Sequence, residues 1–464
     1  MESVMRSGRD SAISSAVGTT ESRAAATVGI HHRIPRTPFR RIASMTTTTS
    51  SIPNVESVRH LFPGLERGTV LLENAGGSQV PVFVADAIRD HLLHDYVQLG
   101  AGYPASDRAT ATVERAHRFL DRYVNGEGVG RVILGSSCTS LMHVLAHAIA
   151  PTIKAGDEIV VCEQGHEANI GCWLELEARG AVIRWWNVDP ETGSLDLESL
   201  REVLSDRTRY VAFPHVSNLL GEIVDVEAAT RLVHAAGGRV VVDGVAYAPH
   251  RAIDVRTWNV DFYAWSTYKV YGPHMGGLFA RNDALAELEG PNHFFIPKDE
   301  IPYKFELGGA SHEGCAGICG LARLLAMLAG DETPPDDIAD TCDFNTVRAA
   351  FETMTAMEAP VQARLLERLT RHDSVKIIGP DSPDTRVRVS TVSMLHESLD
   401  ARKIVEIAHS ANIGIRHGHM YAYRLCKRMG IPVDSGVVRI SAVHYNTVSE
   451  VDRLCDVLDE SFDD

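Results

Sequence analysis

Residues 240–273 read VVVDGVAYAPHRAIDVRTWNVDFYAWSTYKVYGP and contain two short apolar runs, each followed by an ionisable side chain. The run at 240–242 is followed at once by Asp243, and the run at 262–265 is followed four residues later by Lys269. A lysine buried at the end of a strand costs free energy unless its charge is paired or neutralised. A Schiff base is one way to keep such a lysine in place, so Lys269 is a candidate for covalent catalysis.

Short apolar runs of the same kind recur from Leu61 onward, each followed by a helix-like segment or a loop. Because buried strands separated by helices are typical of a mainly parallel sheet covered on both faces, we predict an α/β fold. Such a sheet binds ligands at the carboxyl ends of its strands, where Asp243 could pair with a protonated ring nitrogen. The predicted strands of this sheet are 132–134, 159–162, 182–186, 210–213, 240–242, 262–265 and 276–280.

The pattern changes after about Pro302. A long helical stretch is predicted from about Glu313 to Leu369, and shorter strands and helices follow it. We therefore predict a large α/β domain over residues 54–301, whose N-terminal segment can pack with the second domain, and a smaller α+β domain over residues 302–464. The strands predicted after Leu369 are 375–378, 387–394, 413–416 and 437–440.

Residues 1–53 form a leader that is rich in Ser, Thr, Ala and Arg and lacks hydrophobic periodicity. Residues 30–44 contain no acid and several arginines, a composition that resembles an organellar transit peptide. A disordered tail, or an extension upstream of a start at Met45, fits the composition better. The protein is predicted to be cytoplasmic, and the transit peptide stays open as the alternative.

The net charge of −16 is unevenly distributed, since residues 1–44 carry a net +4 and the remaining residues carry −20. An acidic body repels phosphate backbones, so nucleic acid is not expected as a partner. No apolar run approaches the roughly 20 residues of a membrane-crossing helix, so no membrane partner is expected. The eight cysteines show no zinc-ligand spacing, which favours free thiols in a reducing compartment and no metal site.

The turn at 135–140, which reads GSSCTS, joins a predicted strand to an apolar helix. Free N–H groups and the positive end of the helix dipole can bind an anion such as a phosphate group at this point. An ordinary helix cap would have the same composition. The turn therefore leaves both interpretations open when it is considered alone.

Four segments together resemble the class V aminotransferases, the group that contains cysteine desulfurases and isopenicillin-N epimerase. The resemblance covers about residues 60–462, with the motifs in the family's order and at family-like spacing. It implies a fold type I enzyme that uses pyridoxal 5'-phosphate, acts on a small amino-acid substrate and forms a homodimer with sites between two subunits. The segments are HVSNLLG at 215–221, VDG at 242–244, DFY…KVYGP at 261–273 and RIS…YNT…EVD at 439–452.

The resemblance implies roles for individual residues of the cofactor site. Lys269 would carry the cofactor and later move protons at the α-carbon of the substrate, and Asp243 would pair with the pyridine nitrogen. His166, in the segment GHEAN, would stack on the ring, and Asn218 would hydrogen-bond the ring hydroxyl. The other implied cofactor-binding residues, the first three of them for the phosphate, are Cys138, Thr139, Ser266 and Tyr268.

The resemblance also implies where the substrate binds. Arg439 would hold the substrate carboxylate, because a guanidinium suits bidentate binding of a carboxylate. Arg416 is expected nearby, either assisting Arg439 or forming a structural ion pair. Asn74 is a further candidate for substrate binding.

The chain departs from the most similar desulfurases at residues that would select the reaction. Those enzymes carry a nucleophilic cysteine in an Arg-x-Gly-His-His-Cys pattern, whereas residues 416–421 read RHGHMY and place Tyr421 where the thiol should be. A phenol cannot form a persulfide, so desulfurase activity of that kind is not expected unless Cys426 is displaced into the site. Ala246 and Tyr268 replace a glutamine and a histidine of the family, and GGAS at 308–311 replaces Gly-Thr-Pro-Asn in a loop that reaches the partner subunit's site.

With the thiol absent, we predict β-elimination, a carbon–sulfur lyase reaction on a cysteine S-conjugate. Lys269 would remove the α-proton, and Tyr421 or His419 would protonate the departing sulfur. Transamination is the first alternative, and epimerisation or decarboxylation of an amino acid follows, because the cofactor stabilises the α-carbanion whichever bond is broken. A protein without enzymatic activity, either a scaffold or a binding protein, is the remaining alternative. The presence of both Lys269 and Asp243 argues against it.

Overall fold

The computed structural model describes residues 54–462, so the leader expected over residues 1–53 lies outside the described residues. Within this part the strands form sheets of seven, four and two strands. The strands are β1 (Val70–Leu71), β2 (Gly130–Gly135), β3 (Glu158–Cys162), β4 (Val182–Trp186), β5 (Thr208–Pro214), β6 (Arg239–Asp243), β7 (Phe262–Ser266), β8 (Gly276–Arg281), β9 (Val375–Ile378), β10 (Thr391–His396), β11 (Ile413–Gly414), β12 (Arg416–Gly418) and β13 (Val437–Ser441).

Helices surround these strands, and several of them begin at a side chain that accepts a backbone N–H. Asp343, for example, accepts the N–H of Thr346 at 2.9 Å, which satisfies one of the donors left free at a helix start. The α-helices are α1 (Glu56–Arg59), α2 (Val82–His94), α3 (Pro104–Tyr123), α4 (Cys138–Ile149), α5 (Gly171–Leu174), α6 (Leu197–Val203), α7 (Val226–Ala235), α8 (Val255–Trp258), α9 (Asn282–Ala286), α10 (His312–Leu328), α11 (Phe344–Leu369), α12 (Ala401–Ser410), α13 (Tyr423–Arg428) and α14 (Val448–Phe462).

The seven-stranded sheet has the order β2-β8-β7-β6-β5-β3-β4. Neighbouring strands run parallel except that β8 is antiparallel to both β2 and β7. Each of its strands contains one of the seven apolar runs predicted from the sequence. The predicted α/β fold with a mainly parallel sheet is therefore confirmed.

The sheet is buried on both faces, as β6 shows. Val240 and Val242 belong to the apolar core that includes α2, α3, α7 and α10, whereas Val241 belongs to the core that includes α4 and α9. Because successive side chains of a strand point to opposite faces, three valines in a row are buried only between two helical layers. The chain leaves this double layer at Asp243, so the carboxylate comes to lie at the edge of the sheet.

The four-stranded sheet has the order β12-β13-β10-β9 and is antiparallel throughout. Helices α11, α12 and α14 contribute apolar side chains to its core. The short β1 pairs in parallel with β11, which brings the N-terminal part of the described chain to the apolar core of the four-stranded sheet. These connections place β12 and the loop after it next to the carboxyl edge of the large sheet, where Asn218 donates to the Met420 carbonyl oxygen at 2.6 Å.

The long helical stretch predicted from about Glu313 to Leu369 is wrong in one respect, because two helices replace it. Helix α10 ends at Leu328, and α11 begins only at Phe344. Between them, Gly330 adopts a left-handed φ of 105°, and two consecutive prolines follow at 334–335. A left-handed glycine ends a helix and prolines cannot donate the next backbone hydrogen bonds, so helical periodicity on both sides hid the break.

No helix within residues 54–462 combines the length and the apolar character needed to cross a membrane. The eight cysteines all lie within this part of the chain and are free thiols there.

Candidate active site

A cavity of about 320 Å³ opens at the carboxyl ends of β5, β6 and β7, beside the first turn of α4. A second cavity of about 580 Å³ shares part of its wall and adds Arg416, His419 and Arg439. The predicted site residues that line the first cavity are Cys138, Thr139, His166, Asn218, Asp243, Ser266, Tyr268, Lys269 and Tyr421.

Lys269 lies in a 3-10 turn directly after β7 and lines both cavities. Burial and, to a smaller extent, the nearby Arg439 guanidinium lower the pKa of its amine to about 8, although Asp243 opposes the shift. A neutral amine is the nucleophilic form of lysine, and this pKa leaves an appreciable fraction of the amine neutral near physiological pH. The surroundings therefore favour a lysine that reacts with a carbonyl group.

Asp243 ends β6 and is buried. One of its carboxylate oxygens accepts the Val245 N–H at 2.9 Å. Burial raises the pKa of this carboxyl group, although that hydrogen bond and the Lys269 ammonium oppose the shift. A cation placed against Asp243 would stabilise the ionised carboxylate, and a protonated pyridine nitrogen is a cation of suitable shape.

His166 lies after β3 and lines both cavities. Its Nδ1 accepts the Ala168 N–H at 3.0 Å, so the Nε2 atom carries the proton of the neutral ring. Burial, Lys269 and Arg439 lower the pKa of His166 to about 4. The ring is consequently neutral at physiological pH, which suits stacking on an aromatic cofactor better than an imidazolium would.

The first turn of α4 offers backbone donors to an anion. The Ser137 hydroxyl accepts the Ser140 N–H at 3.1 Å, while the N–H groups of Cys138 and Thr139 belong to the helix positions that have no intrahelical acceptor. Strand β8 passes very close, since a Cβ on Gly276 would lie 2.4 Å from the Ser137 carbonyl carbon. The missing side chain at Gly276 is therefore what allows this helix start to reach the cavity.

These features fit pyridoxal phosphate in size and chemistry. Lys269 would carry the cofactor, Asp243 would face its ring nitrogen, and His166 would cover one face of its ring. The phosphate would lie at the helix start formed by Cys138 and Thr139, because N–H groups at such a position bind anions. Burial raises the pKa of the Cys138 thiol, so this side chain adds no negative charge that would repel the phosphate.

Asn218, Tyr268 and Ala246 also line the cavity. The Asn218 amide donates to the Met420 carbonyl oxygen at 2.6 Å, which ties it to the loop after β12. The ring of Tyr268 stacks on His274 with 4.4 Å between ring centroids. Ala246 offers no hydrogen-bonding side chain, so the glutamine contact seen in the family pattern has no counterpart at this position.

The two candidate arginines occupy different surroundings. Arg439 is buried, donates through Nη1 to the Asn218 carbonyl oxygen at 3.1 Å, and has an Nε without a hydrogen-bond partner in the described chain. Arg416 is exposed and forms an ion pair with Glu73 at 3.0 Å. A buried donor without a partner is costly, so Arg439 is the arginine whose surroundings favour an incoming carboxylate.

Asn74 is not brought to either cavity. Its amide nitrogen donates to the Leu71 and Ser441 carbonyl oxygens and to the Asn446 side chain, and its oxygen accepts the Tyr445 hydroxyl at 2.5 Å. Both N–H donors of the amide and one lone pair of its oxygen are therefore engaged within the chain. The neighbouring residues 75–76 line the second cavity in its place.

His419 and Tyr421 enter the site on the loop after β12. The ring centroids of Tyr421 and His166 are 5.0 Å apart, and the Tyr421 N–H donates to Nδ1 of His419 at 3.1 Å. Cys426 is fully buried in a separate apolar cluster, and burial raises the pKa of its thiol to about 11. A phenol, that of Tyr421, and not a thiol therefore lies beside His166.

Contacts that could not be read from the sequence connect this loop to Glu167, which follows β3. The Glu167 N–H donates to the Tyr421 carbonyl oxygen at 2.9 Å, and the Glu167 carboxylate accepts two hydrogen bonds from Arg424 at 3.1 and 3.2 Å. No sequence signal joins residues so far apart in the chain. Gly276 was missed as well, although two consecutive glycines inside a predicted strand are a signal of close backbone approach.

The chain matches the family described as Aminotransferase class-V over residues 70–332 and 341–454. It is 38% identical over 414 residues to the Aminotransferase-like protein FGM3 of Gibberella zeae, covering 88% of this chain and 98% of that protein. It is 29% identical over 429 residues to the Cysteine desulfurase-like protein ustD of Aspergillus flavus, covering 90% and 93%. The apo structure of the cysteine desulfurase from Thermococcus onnurineus NA1 matches with a TM-score of 0.77 and 24% identity, covering 91% of this chain and 100% of that one, which supports the fold alone.

Proposed function

The chain belongs to the class-V aminotransferase family of pyridoxal-phosphate enzymes, and from that premise we propose that it is a carbon–sulfur lyase acting on a cysteine S-conjugate. The observation that carries the proposal is Tyr421, a phenol beside His166. Among residues 54–462, Cys138 is the only cysteine that lines the cavity, and burial raises the pKa of its thiol. Without a thiolate to accept sulfur from the substrate, the sulfur would leave together with its substituent.

The cofactor, when bound, supplies an electron sink for the bond that breaks at the α-carbon. Lys269 would take the α-proton, because a pKa of about 8 allows its amine to accept and return a proton near neutral pH. The electron pair left on the α-carbon forms a double bond to the β-carbon while the β-carbon–sulfur bond breaks. Sulfur leaves with the bonding pair and takes a proton from Tyr421 or His419, and water converts the remainder to pyruvate and ammonia.

Arg439 would orient the substrate for this step. Its buried guanidinium keeps one donor without a partner, and burial lowers its pKa only to about 10, so it stays charged at neutral pH. A carboxylate bound there would place the α-carbon in the cavity shared by Lys269 and Tyr421. This placement supports an amino acid as the substrate.

The test is to incubate the cofactor-loaded protein with S-alkyl and S-aryl cysteines without any added keto acid and to identify the products by mass spectrometry. We expect pyruvate and the free thiol in equal amounts, and none of either from the Lys269→Ala variant. Release of the substrate's own keto acid, with the cofactor left in its amine form, would instead establish an aminotransferase and refute the proposed reaction.

The role of Tyr421 has its own test. If its phenol protonates the departing sulfur, Tyr421→Phe should slow thiol release from an S-alkyl cysteine by about a hundredfold, the lower end for general acid catalysis. Release of an acidic aryl thiol should change little, because that thiolate leaves without a proton. Equal effects on both substrates would exclude the role and leave His419 as the candidate.

We also propose that the protein is a homodimer. Large apolar side chains are exposed in two segments, 92–103 and 293–307, and Phe294 is 97% exposed. Exposed apolar surface of this kind is typical of interaction sites. Sedimentation should give a dimer that the double variant Leu93→Ser, Phe294→Ser weakens, and a monomer at working concentrations of the unmodified protein would refute the proposal.

A further inference from the structure

A groove of about 790 Å³ lies beside the active site. His419 and Tyr421 line both the groove and the cavity that holds Lys269, so the two spaces share a wall. The groove is therefore within reach of any part of a substrate that extends past Tyr421. The other residues that line it are Glu163, Glu167, Trp185, Asn187, Tyr423, Arg424, Lys427 and Arg428.

Aromatic rings form a continuous series from the cavity into this groove. The ring centroid of Tyr421 lies 5.0 Å from that of His166, and His419 lies 6.2 Å from Tyr421. Tyr423 follows at 5.6 Å from His419, and the Lys427 ammonium lies 4.9 Å from the Tyr423 centroid. The His419 ring is nearly perpendicular to the rings of Tyr421 and Tyr423, so a group that leaves the cavity past Tyr421 would meet ring edges and faces in turn before it reaches a positive charge.

Two of the cationic side chains in the groove lie close to carboxylates, and a third does not. The Arg424 guanidinium binds the Glu167 carboxylate at 3.1 Å, and Arg428 lies 3.5 Å from Glu163. Lys427 is exposed, and no carboxylate of residues 54–462 forms a salt bridge with it. The groove therefore keeps one cation whose charge is available to a ligand.

The Trp185 side chain is a further aromatic group in the wall of the groove. It is half-buried, and the Arg424 guanidinium lies 5.1 Å from its ring centroid. Because Arg424 is also bound to Glu167, the ring and the guanidinium are held in place before a ligand arrives. A preformed aromatic surface lowers the entropy cost of binding a planar group.

We propose that this groove is a subsite for the sulfur substituent of the substrate and that it selects an aromatic ring bearing a carboxylate. The inference deepens the proposed lyase function and rests on it for the identity of the substituent. The ring would lie against Trp185 and Tyr423, and the carboxylate would pair with Lys427. The reacting amino acid itself would stay in the cavity with Lys269.

The test measures binding with amino acids in which a methylene group replaces the sulfur, so that no carbon–sulfur bond can break. Binding of a 4-carboxyphenyl analogue and of the plain phenyl analogue to the holoenzyme is followed by the change in cofactor absorbance. We expect the carboxylated analogue to bind more tightly, and Lys427→Gln to reduce this preference by about two- to fivefold, as for a partly exposed ion pair. Lys427→Glu should reverse the preference.

Lys403→Gln is the matched control, because Lys403 is an exposed lysine on α12 that does not line the groove. It should leave the preference unchanged. A preference that is absent, or that survives Lys427→Glu, overturns the subsite. Since no bond breaks in these analogues, a protein that fails to release any thiol from S-conjugates can still show the preference, so failure of the lyase proposal and failure of the subsite are separate results.

Discussion

Replacing Arg439 by lysine tests which of the two candidate arginines, Arg439 or Arg416, binds the substrate carboxylate. Arg439 is 4% exposed, and its Nη1 is already committed to the Asn218 carbonyl oxygen at 3.1 Å. The remaining N–H groups, including the unpartnered Nε, can meet a carboxylate along two parallel hydrogen bonds. Lysine keeps the positive charge but has a single donor centre, so Arg439→Lys removes the bidentate contact without removing the charge.

The expected magnitude follows from the number of contacts that are lost. Lysine at position 439 can hold either the substrate or the Asn218 carbonyl oxygen well, so at least one charge-assisted hydrogen bond is lost. Such a bond contributes about 1.5–3 kcal/mol, which corresponds to roughly ten- to a hundredfold weaker binding. Arg416 is exposed and paired with Glu73, and a surface pair of this kind contributes about 0–1 kcal/mol. Arg416→Lys should therefore weaken binding less than about fivefold.

The assay is a titration of each holoenzyme with a non-reacting amino acid, followed by cofactor absorbance, together with a thermal melt to show that each variant is folded. The same titration with the corresponding amine, which lacks the carboxylate, should show no difference between Arg439→Lys and the unmodified protein. If Arg416→Lys weakens amino-acid binding as much as Arg439→Lys does, the assignment from burial is wrong. A loss that the amine shares would point to a general disturbance of the site.

Three further predictions concern the cofactor. Uptake of pyridoxal phosphate by the cofactor-free protein should become faster with rising pH and level off above about pH 8, because the Lys269 amine is mostly neutral only above its lowered pKa. A rate that keeps rising toward pH 10.5, the ordinary pKa of lysine, would contradict this prediction. Gly276→Ala should weaken cofactor retention on dialysis and lower the melting temperature, since overpacking against the Ser137 backbone costs about 1–3 kcal/mol. Unchanged retention would show that the start of α4 does not bind the phosphate. Asp243→Asn should lower kcat by about ten- to a hundredfold while the cofactor stays bound, because a charge-assisted contact to the ring nitrogen is lost. An unchanged kcat in steady-state assays would show that Asp243 does not contact the ring nitrogen.

The large sheet could be predicted from the sequence because its signal is local. A run such as the one at 240–242 is apolar at every position, β-branched and short, which is typical of a strand covered on both faces. The two ionisable residues that follow such runs, Asp243 and Lys269, could be placed at one edge of the sheet for the same reason. The break between α10 and α11 was missed, because helical periodicity on both sides outweighed the signal of Gly330.

Which candidate residues line the cavity could not be predicted from local sequence patterns. Asn74 is a candidate from the sequence just as Asp243 is, yet its side chain is held in a hydrogen-bond network with Ser441 and Asn446 far along the chain. The difference in surroundings between Arg439 and Arg416 is likewise invisible in the sequence, since both lie on short strands of the four-stranded sheet. Long-range hydrogen bonds, and not residue type, separate the binding candidates from the structural ones.

The loop that carries Tyr421 is where the local rules of the backbone are broken. Met420 and Tyr421 both adopt left-handed conformations, with φ values of 50° and 62°, and such residues cost about 1–2 kcal/mol each when they carry a side chain. Three contacts hold them there: Asn218 donates to the Met420 carbonyl oxygen, Glu167 donates to the Tyr421 carbonyl oxygen, and the Tyr421 N–H donates to His419. These contacts compensate the strain and hold the phenol beside His166, with 5.0 Å between the ring centroids, the position from which we propose that it protonates the departing sulfur.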